Sequence, residues 1–280
     1  MATAVKEQQL TIGDVRITYL SDGYALVHPA PLYPMSTPAD WQSYKRLLDA
    51  SGQLVCSLGA YVIQTAHSTV LVDPGVGPKN NVFPLGAQYG GKLLANLALA
   101  DIDPASVDIV FYTHIHSDHV GWIGQKTQDG QTMVFPNARQ LVRDIEWRRF
   151  DDPNVSRARV EEALELLQDH IELVEDSQCI APGITVMATP GHTPGHSSLV
   201  VQAGNERVLI LGDVVHSIVQ IDHPEWACTL DLDPEMAIQT RERMFRELAR
   251  SATIAGTSHF ADSVFGRLVQ RDGKRRWEAL

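Results

Sequence analysis

Asp108-Ile-Val-Phe-Tyr-Thr-His114-Ile-His116-Ser-Asp118-His119 is the stretch on which the reading of this chain turns. Its first half is β-branched and aromatic, the composition of a buried strand. His114 and His116 stand two apart, and in an extended chain that spacing points both imidazoles to one side. Asp118 and His119 fall just beyond, where the chain turns. Four ligand-type side chains at a strand exit make a preformed metal nest. Imidazole and carboxylate donors without thiolate favour zinc, iron, manganese or cobalt. The bland alternative is a surface turn that happens to be rich in histidine. It is disfavoured because clustered, half-buried imidazoles need a partner such as a metal.

Further along, Thr189-Pro-Gly-His192-Thr-Pro-Gly-His196 repeats a Pro-Gly-His unit. Proline and glycine fix a tight loop that can hold an imidazole against an ion with little entropy left to lose. Both histidines cannot easily face one point, so His192 is the expected ligand. His196 then supports the site from behind or packs. Asp213 closes the apolar run Val208-Leu-Ile-Leu-Gly-Asp213. A carboxylate at the end of a buried strand is expensive without a counter-charge, which a metal pair supplies. His259 follows Thr253-Ile-Ala-Gly-Thr-Ser258 and is a weak signal on its own.

Around these motifs the chain reads as layered α/β. Residues 8–20 alternate apolar and polar and read as one strand. Residues 28–38 hold four prolines, which rules out a regular helix or a central strand. A long surface loop is expected there, serving as a lid or as a contact in a homodimer, with a short helix at about 39–50. Residues 61–73 and 199–213 echo each other as strand, polar turn, strand and a closing aspartate, which implies two similarly built halves that each supply a sheet. Val160, Ala163, Leu164 and Leu167 share a helical face, as do Ala237, Met244 and Leu248, with Phe245 nearby. The second helix opens with Asp233 as cap and Pro234 at its first position. No linker splits the chain, so residues 1–280 are expected to form one domain, with sheet packed on sheet and helices outside.

Composition narrows the function. The 280 residues carry 23 basic and 34 acidic side chains, a net charge of -11, which repels phosphate backbones and anionic lipids. Nucleic acid and membrane are therefore not expected partners. Apolar runs fall short of a membrane helix, and the N-terminal residues lack the apolar core of a signal peptide. Cys56, Cys179 and Cys228 form no CxxC pair, which argues against a disulfide framework or a cysteine zinc site. The expected compartment is the cytoplasm.

The ordered set His-x-His-x-Asp-His, Thr-Pro-Gly-His, Gly-Asp at a strand end and a late histidine resembles the metallo-β-lactamase superfamily. The resemblance implies an αββα sandwich, two mixed sheets packed face to face with helices outside, and a binuclear site between the sheets. Carried over, it implies that His114, His116 and His192 hold one divalent ion and Asp118, His119 and His259 a second, with Asp213 bridging. Zinc is the first expectation; manganese, cobalt and iron are the alternatives. Asp73, in Leu-Val-Asp-Pro-Gly, matches an early aspartate that usually orients a ligand histidine. Its other reading is a turn residue before Pro74-Gly75. The two ions outweigh two aspartates and a bridging hydroxide, so the remaining positive charge lowers the pKa of bound water toward about 7 and stabilises an oxyanion. The implied reaction is hydrolysis by a metal-bridging hydroxide.

Within the superfamily, Gly212-Asp-Val-Val-His216, Asp231-Leu-Asp-Pro-Glu, Ser258-His-Phe and Phe265-Gly-Arg-Leu look like the methyl parathion hydrolase branch, close to the quorum-quenching lactonases. Opening of a lactone or cleavage of a neutral ester is the expected activity, and phosphotriester hydrolysis is the alternative. A sulfur dioxygenase is disfavoured by the complete second ligand set. A thioesterase is disfavoured by the short tail, which lacks a basic helical region. Quorum-quenching lactonases often place a tyrosine three residues past the bridging aspartate, where this chain has His216. That side chain either donates a hydrogen bond to the substrate oxygen or packs behind the metals. Asp118 and His216 are thus the expected catalytic residues, and Trp122 and Phe83 the aromatics expected to line the substrate pocket.

Overall fold

The computed structural model describes residues 2–123, 133–250 and 253–280. Nine strands come from the first part of the chain: β1 (Glu7–Ile12), β2 (Val15–Val27), β3 (Leu54–Gln64), β4 (Thr69–Val72), β5 (Asn81–Phe83), β6 (Gly86–Tyr89), β7 (Ile109–Tyr112), β8 (Arg139–Arg143) and β9 (Ile171–Val174). They pair in the order β5-β6-β2-β3-β4-β7-β8-β9, with β1 also on β2. Seven follow: β10 (Cys179–Ala181), β11 (Ile184–Ala188), β12 (Ser197–Ala203), β13 (Glu206–Ile210), β14 (Thr253–Gly256), β15 (Phe265–Arg271) and β16 (Lys274–Ala279). These lie in simple sequence order in a second sheet.

The two sheets face each other across one apolar layer. Ile17, Tyr61, Val72 and Phe111 of the first sheet meet Ile184, Leu199, Val208 and Ile254 of the second. The outer face of the first sheet, through Leu71, Val110 and Val142, packs on Leu93 and Leu97 of one helix and on Leu164 and Leu167 of another. The outer face of the second packs Leu209 and Ala255 on Met244, Phe245 and Leu248 of the helix Pro234–Leu248. This is the αββα sandwich that the motif resemblance implied. The helix Pro234–Leu248 begins as expected, with the Asp233 carboxylate accepting the Met236 N–H at 2.9 Å. The echoing segments 61–73 and 199–213 do fall in separate sheets.

Strand direction places the site. β4, β7, β8 and β9 run parallel, which requires both sheet faces to be covered and explains why Ile109–Tyr112 is apolar at every position. In the other sheet β13 and β14 are the parallel pair, joined through the helix Pro234–Leu248. The carboxyl ends of β4 and β7 release Asp73 and the His114–His119 turn at one edge of the sandwich, and β13 and β14 release Asp213 and His259. Chain segments leaving the carboxyl ends of parallel strands are the usual place for a site in such sheets.

Two expectations change. Residues 8–20 are the hairpin β1–β2, not one strand, because Gly13 takes a left-handed φ of 53° and reverses the chain. The proline-rich segment is not wholly a surface loop. Pro29–Leu32 forms one helical turn, which the prolines at its start permit. Leu32 and Tyr33 are buried, and the Tyr33 ring packs against Trp41 and Trp226. The short helix expected near 39–50 is present as Asp40–Ser43 followed by a tighter turn.

Candidate metal centre

Five imidazoles and two carboxylates meet at this edge, and each buried ring is held by its outer nitrogen. His114 Nδ1 lies 3.0 Å from the Thr113 hydroxyl, His119 Nδ1 2.8 Å from Asp73 Oδ2, His192 Nδ1 3.0 Å from Asp231 Oδ1, and His259 Nδ1 3.0 Å from the Ser57 carbonyl. A proton on each Nδ1 satisfies these acceptors and leaves each Nε2 lone pair facing the centre. His116 presents Nδ1 instead, 3.0 Å from both His114 Nε2 and His192 Nε2. One ring proton cannot serve both contacts. Three converging lone pairs need a cation.

Asp213 divides its oxygens between two groups. Oδ2 lies 3.3 Å from His192 Nε2 and 3.7 Å from His114 Nε2, while Oδ1 lies 3.3 Å from His119 Nε2 and 3.0 Å from His259 Nε2. Asp118 groups with His119 and His259. Donors about 2.0–2.2 Å from a tetrahedral ion stand about 3.4 Å from one another, so these spacings fit two neighbouring ions. His119 Nε2 and Asp213 Oδ1 are also buried without a hydrogen-bond partner, which is expensive unless an ion receives both.

The electrostatics carry the same strain. Burial, reinforced by neighbouring imidazoles, pushes the pKa of His114 and His116 well below the usual range. Burial would raise Asp213, but the facing imidazoles, led by His259 and His119, hold it well below the carboxylate range. Burial works against a charged His119, but Asp213 and Asp73 overcome it and raise that histidine well above its ordinary value. Among these buried groups, charge is balanced only locally.

Asp73 holds Thr113 as well as the His119 ring. Its Oδ1 accepts the Thr113 N–H at 2.8 Å and its Oδ2 the Thr113 hydroxyl at 2.7 Å. His196 points away from the cluster of ring nitrogens. Its Nε2 accepts the Asp213 N–H at 2.9 Å and its Nδ1 faces Thr189. Gly212, between β13 and Asp213, has a φ of 57°, and a Cβ there would stand 2.6 Å from His196 Nε2. His216 is buried with its Nε2 3.3 Å from Asp213 Oδ2, and neither ring nitrogen has a hydrogen-bond partner.

Two buried acids, Glu146 and Asp22, escaped the sequence reading, and a third, Asp231, entered it only within a branch motif and without a role. Glu146 takes the Ile115 N–H at 2.9 Å on Oε1, and the Thr193 hydroxyl at 2.6 Å and Gly195 N–H at 3.2 Å on Oε2. It therefore ties the His114–His119 turn to the His192 loop. Asp22 accepts the backbone N–H groups of Val76, Gly77, Gly91, Lys92 and Leu93 and so braces the loop after Asp73. Asp231 holds His192 and faces the buried Arg241 guanidinium at 3.5 Å. Nothing local flags Glu146, which sits among charged neighbours that read as an exposed helix. Asp22, set within an apolar strand before Gly23, carries a visible signal, as does Asp231 in its motif.

A cavity of about 540 Å³ opens above the cluster. His116, Asp118, Asp213, His216 and His259 form its polar floor, and Val27, Leu32, Leu58, Phe83, Val155 and Leu230 are among its apolar walls. Phe83 lines it as expected. Trp122 does not. Its indole N–H donates to Asp22 Oδ1 at 2.9 Å and its ring packs in the core beneath the helices, so nearness in sequence to the metal motif misled.

The chain belongs to the metallo-β-lactamase superfamily, whose family model matches residues 59–250. Together with the buried His/Asp cluster, that membership defines a metal-dependent hydrolase. The N-acyl homoserine lactonase of Bacillus thuringiensis is 22% identical over 236 residues, covering 79% of this chain and 88% of that protein. The N-acyl homoserine lactonase AttM of Agrobacterium fabrum is 29% identical over 139 residues, 44% of this chain and 46% of that one. Among solved structures, the hydrolase AbOPH of the β-lactamase superfamily superposes with a TM-score of 0.85 at 27% identity, over 99% of this chain and 98% of that chain. AidC, a dizinc quorum-quenching lactonase in complex with a product, gives 0.83 at 21% identity over 98% and 97%, a likeness of fold. No helix among the described residues is long and apolar enough to cross a membrane.

Proposed function

We propose that this chain hydrolyses a lactone or a carboxylic ester with two divalent ions, zinc first among them. His114, His116 and His192 would hold one ion, Asp118, His119 and His259 the other, and Asp213 both. The observation that carries the reading is Asp213, whose two oxygens each face a separate set of imidazole lone pairs at the floor of a largely apolar cavity. A pair of divalent ions bound there supplies water of lowered pKa and polarises the bond to be cleaved.

The protein's own side chains do the rest. Asp73, Asp231, Thr113 and Ser57 fix the ring tautomers, so the donors are set before substrate arrives. The apolar walls exclude bulk water and receive the hydrocarbon part of the substrate. His216, with two unpartnered ring nitrogens at the cavity floor, donates a hydrogen bond to the substrate oxygen as charge develops on it.

The distant lactonase relatives support an ester-type substrate. The test is a purified protein stripped by chelator, then restored with zinc, manganese or cobalt. Assays run on a panel of lactones, aryl esters and a phosphotriester. Activity on lactone or ester should vanish on stripping and return with metal. Turnover of the phosphotriester alone would replace the ester reading with the phosphotriester one, and no turnover of any panel member would overturn both.

A further inference from the structure

Arg159 stands in the wall of the catalytic cavity in a conformation that long side chains avoid. Its φ is 72°. Among the described residues, the other non-glycine residues with positive φ are Asp73, Asp101, Ser177, Asp262 and Asp272, all short and polar. Such side chains tolerate the left-handed region better than arginine does. Backbone strain of this kind persists where surrounding contacts over-determine it, and it gathers at ligand clamps. Here two contacts fix the guanidinium. Its carbon lies 5.3 Å from the centre of the Phe83 ring, and Nη2 donates to Gln88 Oε1 at 2.6 Å. Phe83, Gln88 and Arg159 all line the cavity over the metal centre.

The charge is left unmatched. Among the described residues no carboxylate forms an ion pair with Arg159; its partners are a neutral amide and a phenyl ring. The second arginine of the cavity, Arg149, is compensated by Glu146 at 2.9 Å. Among the described residues, and apart from Asp118 and Asp213 of the metal centre, the wall holds no acidic side chain, in a chain of net charge -11. Arg159, an exposed residue, also lines the adjoining groove with Glu161 and Glu162, but neither glutamate forms an ion pair with it, and Glu162 pairs with Lys79 at 3.3 Å.

From this geometry we infer that Arg159 is a specificity-determining residue that binds a carboxylate on the substrate, remote from the bond that is cleaved. Among the described residues, Nε and Nη1 make no hydrogen bond, and a guanidinium fork matches the two oxygens of a carboxylate. The substrate class is then an acidic ester or lactone: an apolar arm in the cavity, the reacting carbonyl at the metal floor, and a free carboxylate at the Arg159 end. The inference rests on the hydrolase reading of the same cavity.

The test compares aryl monoesters of linear dicarboxylic acids with the same molecules capped as methyl esters, using the zinc-loaded protein. Wild type should favour the free acid by at least about tenfold, expressed in KM and narrowed by added salt. Arg159→Gln should lose that preference, read as the ratio of kcat/KM for the free acid to kcat/KM for the capped ester. Arg159→Gly should lose it too, with an unfolding midpoint no lower than wild type, since glycine relieves the strained φ. A preference that survives in either variant, or none in wild type, overturns the inference. If neither ester is cleaved, calorimetric binding of the uncleaved monoester to wild type and Arg159→Gln still decides the carboxylate site, while the lactone, ester and phosphotriester panel decides the hydrolase reading separately.

Discussion

The Thr193 hydroxyl donates to the Glu146 carboxylate at 2.6 Å, in a region closed to solvent and across 47 residues of sequence. The other oxygen of Glu146 holds the Ile115 N–H, between His114 and His116. One carboxylate thus sets the separation of the two loops that supply His114, His116 and His192. Gly195 must be glycine for this contact, because a Cβ there would meet the Glu146 backbone at 2.1 Å.

Glu146→Gln should weaken ion binding by about 10- to 100-fold, the usual cost of losing a residue that orients ligands. It also leaves Arg149 without its buried counter-charge, at about 3–5 kcal/mol. Chelator competition reads the first effect and urea unfolding of the ion-free protein the second. Unaltered ion affinity would remove Glu146 from the positioning role.

Asp213→Asn puts an amide N–H₂ toward one of the two imidazole sets, where an acceptor is needed. The variant should retain fewer ions per chain than wild type by elemental analysis and lose most hydrolytic activity. Asp118→Ala should deplete the set shared with His119 and His259 while leaving the other occupied.

His216→Ala should lower kcat by about 10- to 1,000-fold with the ion content unchanged, the signature of a lost donor to a developing oxyanion. A matching loss of bound metal would make His216 a ligand instead, consistent with its place beside His192 and Asp213.

Acid should destabilise the ion-free protein in a direction that His196 fixes. Burial first, and then His192, lower its pKa from 6.5 to about 3. The unfolded chain takes up a proton near the ordinary value and the folded chain does not. The stabilising contribution is therefore complete above that value and is lost as pH falls toward about 3. The slope is about 1.4 kcal/mol per pH unit for one such group. His119 and His259, both raised, act in the opposite sense. The comparison that isolates His196 is the difference between wild type and His196→Gln in urea midpoint at neutral and mildly acid pH, with the variant showing the shallower loss.

Gly212→Ala combines a left-handed backbone with a Cβ 2.6 Å from a fully buried ring, and His196 has no room to retreat. It should cost at least about 1–2 kcal/mol from the backbone alone, read by thermal unfolding.

Most donor residues were legible because they announce themselves chemically, as a histidine or aspartate where a buried strand ends or in a tight Pro-Gly loop, whereas His259 stood out only through the motif resemblance. His114, His116, Asp213 and His259 all sit at such exits. The residues that tune them were not. Glu146 is flanked by Asp144, Arg148 and Arg149, which read as a solvated face, and only the packing of another loop against it makes it buried. Trp122 follows the metal motif in sequence but turns into the core to reach Asp22. The β1–β2 hairpin was read as one strand because Gly13 and Asp14 interrupt the alternation for only two positions.

Asp213 and His259 come from one sheet, His114 and His119 from the other, and the ions would sit where the sheets meet. Neither half of the sandwich alone can assemble a complete grip. Ions held there would rivet one sheet to the other, so stripping them should loosen the whole sandwich and not only empty a pocket.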